Sequence, residues 1–115
     1  MRRFEIWLAQ LPEKADENSH VQTGQRPVLI VSNDTVNLHS PVVTIVPLTS
    51  NQNKKPIPTH VELWGQGLRQ HSLALCEQIT DLDKTRLFRY LGFVGRANDQ
   101  HAINRAMSIQ LGMAM

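Results

Sequence analysis

The sequence predicts a mainly β fold: a small, strongly bent β-barrel of five or six short strands with helices, one of them closing the C-terminal end. Three observations carry this. Short aliphatic runs recur along most of the chain and are rich in β-branched residues, which favour strands. Turn-forming clusters of Asn, Asp, Ser, Gly and Pro separate them. Only the C-terminal segment shows a sustained helical spacing, with Ile103, Ala106, Met107, Gln110 and Leu111 on one side.

Residues 1–10 form the first expected strand, where Phe4, Ile6 and Leu8 alternate with Glu5, Trp7 and Ala9. Residues 11–23 are a polar loop, long for so small a domain, and loops of that kind are usually functional or disordered. Residues 27–32 form a second strand. Its uninterrupted Val28-Leu29-Ile30-Val31 fits burial on both faces, and Pro27, lacking an N–H, suits its first position. Asn33 to Ser40 is expected to be a turn-rich connection, and residues 41–48 a third, densely aliphatic strand. A polar, basic loop at 49–56 follows, then strand four at 59–63, a turn marked by Gly65 and Gly67, and strand five at 72–79. Asp83 is expected to cap a short helical turn at 84–87, and residues 90–94 to return as a last strand. Asn98 is expected to cap a helix at 99–111 that stops at Gly112. Burying Ile103, Met107 and Leu111 against the sheet would stabilise by about 1.5–3 kcal/mol per side chain.

With 115 residues the chain fits one domain. Its 41% hydrophobic and 19% charged content is that of an ordinary soluble protein. A net charge of +2 and a pI near 9.0 are compatible with nucleic acid. Cys76 is the sole cysteine, so no internal disulfide forms and nothing points to secretion. Without a membrane-length apolar stretch or a signal-peptide core, the cytoplasm is the expected location. None of His20, His39, His60, His71 and His101 stands at a zinc spacing to Cys76 or to another histidine, so no metal site is expected. A P-loop, a dinucleotide fingerprint and a nucleophile elbow are all missing, which removes kinase, hydride-transfer and α/β-hydrolase readings.

What remains is polar chemistry at strand ends. Arg26 opens strand two, and Thr49 and Ser50 close strand three. If those strands are antiparallel neighbours, Arg26 and Thr49 meet at one rim of the sheet. A guanidinium there is a permanent cation with a fork of donors shaped for phosphate. The loop carrying His20 lies just before it. Glu77 is expected within strand five, and Lys54-Lys55 form a natural phosphate contact. Taken singly, each has a plainer reading: a surface ion pair for Arg26, a turn hydroxyl for Thr49, a solvated loop residue for His20, a network carboxylate for Glu77 and a core thiol for Cys76.

Taken together they resemble the MazF/PemK/Kid family of toxin–antitoxin endoribonucleases over nearly the whole chain. The matching words are Glu5-Ile6-Trp7-Leu8, Gly24-Gln25-Arg26-Pro27-Val28-Leu29-Ile30-Val31-Ser32-Asn33-Asp34, Val46-Pro47-Leu48-Thr49-Ser50, Pro58-Thr59-His60-Val61, Cys76-Glu77-Gln78-Ile79, Asp83-Lys84-x-Arg86-Leu87 and Gln110-Leu111-Gly112. The resemblance implies an SH3-like barrel, a homodimer, and cleavage of single-stranded RNA at short sequences without metal or cofactor. It also implies an antitoxin partner whose disordered C-terminal segment occupies the RNA groove. By the same resemblance the catalytic residues fall on Arg26, Thr49, His20 and Glu77, with His20 or Glu77 as the base. Ser50, Asn51, Lys54, Lys55 and Gln78 are expected to contact RNA. The chain departs from many relatives at Val21, where they carry Glu, and at Phe4, where they carry Gly. Two other readings stand beside it: a CcdB-like gyrase-binding toxin, which needs no Arg/Thr pair, and a non-catalytic RNA-binding SH3-like module.

Overall fold

In the computed structural model, which describes residues 1–51 and 55–113, the chain runs β1 (Glu5–Leu11), β2 (Gly24–Ile30), α1 (Asp34–His39), β3 (Val42–Thr49), β4 (His60–Leu63), β5 (Ser72–Leu75), a 3-10 turn (Cys76–Gln78), β6 (Thr80–Asp83), a second 3-10 turn (Lys84–Arg86), β7 (Leu87–Phe93) and α2 (Ala97–Leu111). The strands form one antiparallel sheet in the order β4-β5-β3-β2-β1-β7, and β6 pairs with the first half of β3.

β2 and β3 are aliphatic throughout because both faces are covered. Leu29, Val31, Val46 and Leu48 face one core cluster with Ile6, Val61, Leu63 and Cys76, closed by Ile103, Ala106 and Met107 of α2. Val28, Ile30, Val43 and Ile45 face a second cluster with Ala9, Leu11, Leu82 and Leu87. The period-two alternation of a strand sends neighbours to opposite clusters. The aliphatic richness of β3 is therefore consumed inside the molecule.

Among the described residues no backbone hydrogen bond joins β4 to β7, the two ends of the sheet, yet the sheet is rolled into a barrel by close contact. The 64–71 connection lies against β7, with Gly67 at φ +87°. A Cβ on Gly67 would stand 1.9 Å from the Leu91 carbonyl oxygen, and one on Gly92 would stand 1.8 Å from the Gln66 carbonyl oxygen. Gln66 Nε2 also donates to Asp99 Oδ2 at 3.0 Å, and Arg96 Nη2 donates to the Trp64 carbonyl at 3.0 Å, which ties the connection to the start of α2.

Several expectations are corrected. Residues 33–40 hold α1: Asn33, read as a turn former, caps the helix by accepting the Val36 N–H at 2.9 Å. Buried Asn37, 1% exposed, donates to the Ser32 carbonyl at 2.8 Å and fixes the helix to the barrel. Strand five ends at Leu75, four residues earlier than expected, because residues 76–78 turn and the chain leaves to form β6. The last strand is longer than expected and begins at Leu87. α2 begins at Ala97 with Arg96 as its cap, not at Asp99 after Asn98; its end at Gly112, φ 67°, is as expected. Leu111 is 53% exposed, unlike the buried Ile103 and Met107.

Phe4, at the position where many relatives carry Gly, has φ 74°. Left-handed backbone costs a non-glycine residue about 1–2 kcal/mol. The Phe4 ring is buried in the first cluster, and removing a buried Phe costs about 3–5 kcal/mol, so packing outweighs the strain. Among the described residues no helix is long and apolar enough to cross a membrane.

The rim contact predicts an asymmetry between two glycines. Gly65, φ +81°, has nothing within 4 Å of an added Cβ. Gly65→Ala should cost only the backbone term, about 1–2 kcal/mol, whereas Gly67→Ala should cost about 1–3 kcal/mol more, from the clash with Leu91. Urea unfolding of the two variants measures this; equal losses would show that the rim does not close tightly.

Candidate active site

β2 and β3 pair in the register Val28↔Pro47, Leu29↔Val46 and Ile30↔Ile45. Carried two residues further, that register sets Arg26 across from Thr49. Both line a cleft of about 410 Å³, together with Gln25, Ser50, Arg69, Gln70, Ser72 and Arg89. Its apolar floor is Leu8, Pro27, Leu48, Leu68 and Leu91.

Arg26 is half-buried, and its Nε donates to the Thr23 carbonyl at 2.8 Å. This bond fixes the plane of the guanidinium and leaves the terminal N–H groups unbonded by any described residue. Thr49 is only 5% exposed. Its Oγ1 accepts the Asn51 N–H at 3.2 Å, so the hydroxyl proton remains available to a ligand in the cleft. No Asp or Glu among the described residues lines the cleft. Among the described residues none of Arg26, Arg69 and Arg89 is paired with a carboxylate. Three unneutralised guanidiniums around one concavity focus a positive potential and select for a polyanion.

The other two residues expected in catalysis lie elsewhere. Glu77 sits in the 3-10 turn, not in a strand. Its carboxylate is held by His60 Nε2 at 2.8 Å and by the Thr59 hydroxyl, which donates at 3.2 Å. The His60 side chain is only 7% exposed, so this pair is an internal brace between β4 and the turn. Glu77 lines a different cleft, of about 380 Å³, with Val21, Gln22, Gln78, Ile79, Glu13 and Asp81. His20 is exposed on the 12–23 loop and does not line the Arg26 cleft. No described residue bonds its ring.

The side chain of Gln78, which the resemblance puts among the RNA contacts, makes two hydrogen bonds within the protein. Its Oε1 accepts the Gln22 N–H at 2.9 Å and its Nε2 donates to the His20 carbonyl at 3.2 Å. It thereby straps the loop bearing His20 to the turn bearing Glu77. Ser50 lines the Arg26 cleft, Asn51 bonds Thr49 beside it, and Lys55 is exposed on the following loop. Lys54 lies outside the described residues.

Burial, and next the Glu77 charge, push the Cys76 thiol up to about 12. It is a protonated core thiol and no nucleophile. Among the described residues no group of three or more His, Cys, Asp or Glu side chains is placed to hold a metal ion.

Arg69, Gln70, Ser72 and Arg89 were not singled out from sequence. An isolated Arg in a turn or on a strand reads as a solvated surface charge, and only the closure of the 64–71 connection onto β7 gathers these residues at one cleft.

Three comparisons bear on this arrangement. A family model described as PemK-like, MazF-like toxin of type II toxin–antitoxin system matches residues 2–111. The chain is 40% identical over 116 residues to endoribonuclease MazF of Staphylococcus saprophyticus, covering 98% of this chain and 92% of that protein. The corresponding protein of Staphylococcus epidermidis matches to the same extent. Among solved structures, the Mycobacterium tuberculosis toxin MazF-mt6 superposes with a TM-score of 0.79 at 25% identity, covering 96% of this chain and 99% of that one. A mycobacterial endoribonuclease in complex with its cognate antitoxin gives 0.78 at 28% identity, covering 100% and 98%.

The Gln78 strap has a direct readout. Gln78→Ala removes the acceptor of the Gln22 amide. A hydrogen bond worth about 0.5–1.5 kcal/mol then disappears, and exchange of that amide should speed about 2- to 12-fold. Hydrogen exchange followed by NMR measures it, and an unchanged Gln22 rate would mean that the strap does not hold the loop.

Proposed function

The chain belongs to the PemK-like, MazF-like toxin family of type II toxin–antitoxin systems, and on that premise we propose that the Arg26–Thr49 cleft is where it cuts single-stranded RNA. It is the endoribonuclease toxin of such a system, and its partners are RNA and a cognate antitoxin. The observation that carries the assignment of the cleft is the convergence of Arg26 and Thr49 in a concavity lined by cations and by no acid.

RNA brings its own nucleophile. The ribose 2′-oxygen attacks the adjacent phosphorus, a 2′-O–P bond forms and the P–O5′ bond breaks. The 2′-OH proton passes to the base, the leaving 5′-oxygen takes a proton from solvent water, and the products are a 2′,3′-cyclic phosphate and a 5′-OH end. DNA lacks the 2′-OH and is not a substrate. Extra negative charge builds on the non-bridging oxygens as the attack proceeds. The terminal N–H groups of Arg26, held in place through Nε, stabilise that charge and hydrogen-bond the leaving oxygen. Arg26 cannot be the base, because it stays protonated. The Thr49 hydroxyl, already accepting from Asn51, donates to a phosphate oxygen and fixes the line of attack.

Of the two candidate bases, His20 is favoured over Glu77. The Glu77 carboxylate is committed to His60 and Thr59, whereas the His20 ring is exposed on the segment leading into Arg26. Placing that ring over the cleft requires the loop to fold inward when RNA binds, and active-site hydrogen bonds commonly tighten in the substrate complex. An acidic segment of the antitoxin would compete with RNA for the same cations. A homodimer belongs to the same proposal. Exposed Ile109, Leu111 and Met113 at the end of α2 offer an apolar surface to a second copy.

Arg26→Ala should fold and lose cleavage by about 10²–10³-fold or more. His20→Ala should lose about 10²–10⁴-fold. A single 2′-deoxyribose 5′ to the cut should abolish cleavage. Full activity in Arg26→Ala, or cutting of the deoxy substrate, would defeat the mechanism; a larger loss in Glu77→Gln than in His20→Ala would hand the base role to Glu77. For the dimer, light scattering after size exclusion should give twice the chain mass, and a clean monomer at micromolar concentration would reject it.

A further inference from the structure

The cleft holds more positive charge than one scissile phosphate uses, and the excess has a definite position. Arg89 lies on β7, two strands from Arg26 in the order β2-β1-β7, a separation of roughly 10 Å at ordinary strand spacing. Arg69 lies on the 64–71 connection, and Gly67 brings that connection against the backbone at Leu91. Each arginine is two residues from this contact, so the two belong to one sector of the rim, away from the Arg26–Thr49 sector. The connection is held from its other side by Gln66–Asp99 and Arg96–Trp64, so Arg69 stands on a fixed base. Neither guanidinium bonds any described residue, and no acid lines the cleft.

A pair of like charges left unpaired at one rim repel each other, and the protein gains nothing internally from them. A phosphodiester between them would remove the repulsion and satisfy planar donors built for phosphate oxygens. We infer that Arg69 and Arg89 together form a second phosphate site, which binds the linkage next to the scissile one on the same RNA strand. This rests on the proposed role of the Arg26–Thr49 cleft and extends it. The pair binds and positions the strand and does not touch the reacting atoms.

The test pairs protein variants with substrate variants. An RNA oligonucleotide containing a mapped cut site, with 2′-deoxyribose at that cut, binds without being cleaved. In it, each phosphate flanking the cut is replaced singly by an uncharged methylphosphonate. For the wild-type protein, neutralising one of the immediately neighbouring linkages should weaken binding by about tenfold or more. In the Arg69→Ala/Arg89→Ala double variant the same replacement should change little, because the cations that read the charge are gone. The salt slope gives a second reading. Loss of one phosphate contact on single-stranded nucleic acid lowers the magnitude of d log K/d log[salt] by about 0.7. Between 50 and 200 mM salt that shift changes affinity by a further factor of roughly 2.6 in the wild type relative to the variant. A merely structural role would alter neither the linkage dependence nor the slope. If wild type and variant respond equally to every neutral linkage, while the wild type still cuts RNA with cyclic phosphate ends, this inference fails and the assignment of the cleft stands. If the wild type does not bind the oligonucleotide, both fall.

Discussion

The register of β2 against β3 is the constraint from which the site follows. Val28↔Pro47, Leu29↔Val46 and Ile30↔Ile45 set two strands buried on both faces, and a slip of one residue would exchange their side chains between the two core clusters. The cost of such a slip is the misplacement of many aliphatic side chains, each worth about 1.5–3 kcal/mol when buried. Core packing thus holds Arg26 opposite Thr49 far more tightly than any contact between those two residues could. Arg26 needs no carboxylate partner to be well placed. Its Nε bond to Thr23 sets the last degree of freedom, the plane of the guanidinium.

The second constraint is the closure of the sheet. An open sheet would leave β4 and β7 at opposite ends and spread Arg69 and Arg89 apart. Two glycines at one crossing, Gly67 and Gly92, let backbone meet backbone, which no larger residue allows. Closure converts a row of strand ends into a bowl. The bowl collects charge from β2, β7 and the 64–71 connection, whereas the neighbouring cleft collects Glu13, Glu77 and Asp81. A chain of net charge +2 therefore presents two concavities of opposite sign. The sign of each concavity decides its ligands, and the near-neutral total hides both.

Much of this was legible in sequence, and the reasons are local. β2 and β3 announce themselves because burial on both faces leaves unbroken aliphatic runs. Their antiparallel pairing, with Arg26 and Thr49 at one rim, follows once they are adjacent. The C-terminal helix shows its period and its terminal Gly112. α1 was hidden because Asn33 and Asp34 serve equally as turn formers and as helix caps, and only the side-chain bond from Asn33 to Val36 distinguishes the two. β6 was hidden because three of its four residues are exposed and its strand state comes from pairing with β3 alone. Glu77 was assigned to a strand because Leu75 to Ile79 carries no Gly or Pro to mark a turn. Its hydrogen bond with His60 is a tertiary fact, joining residues 17 apart. Arg69 and Arg89 had no local signal at all, since what gathers them is a contact between two glycines.

These placements bear on how the cleft must work. Catalysis by a histidine or a carboxylate would ask the fold to hold a base against the substrate, and the fold instead anchors Glu77 elsewhere and leaves His20 on a loop strapped at its backbone by Gln78. What the barrel holds is the backbone beneath the charge. Arg26 stands on a strand start and Thr49 on a strand end, and Arg69 and Arg89 stand exposed at the closed rim. Fixed dipoles and cations need no reorganisation as charge grows on phosphorus-bound oxygens, and this is where preorganisation is most effective. Core packing reaches the strand ends directly, whereas the loop bearing His20 is tied to the turn at 76–78 through the Gln78 side chain.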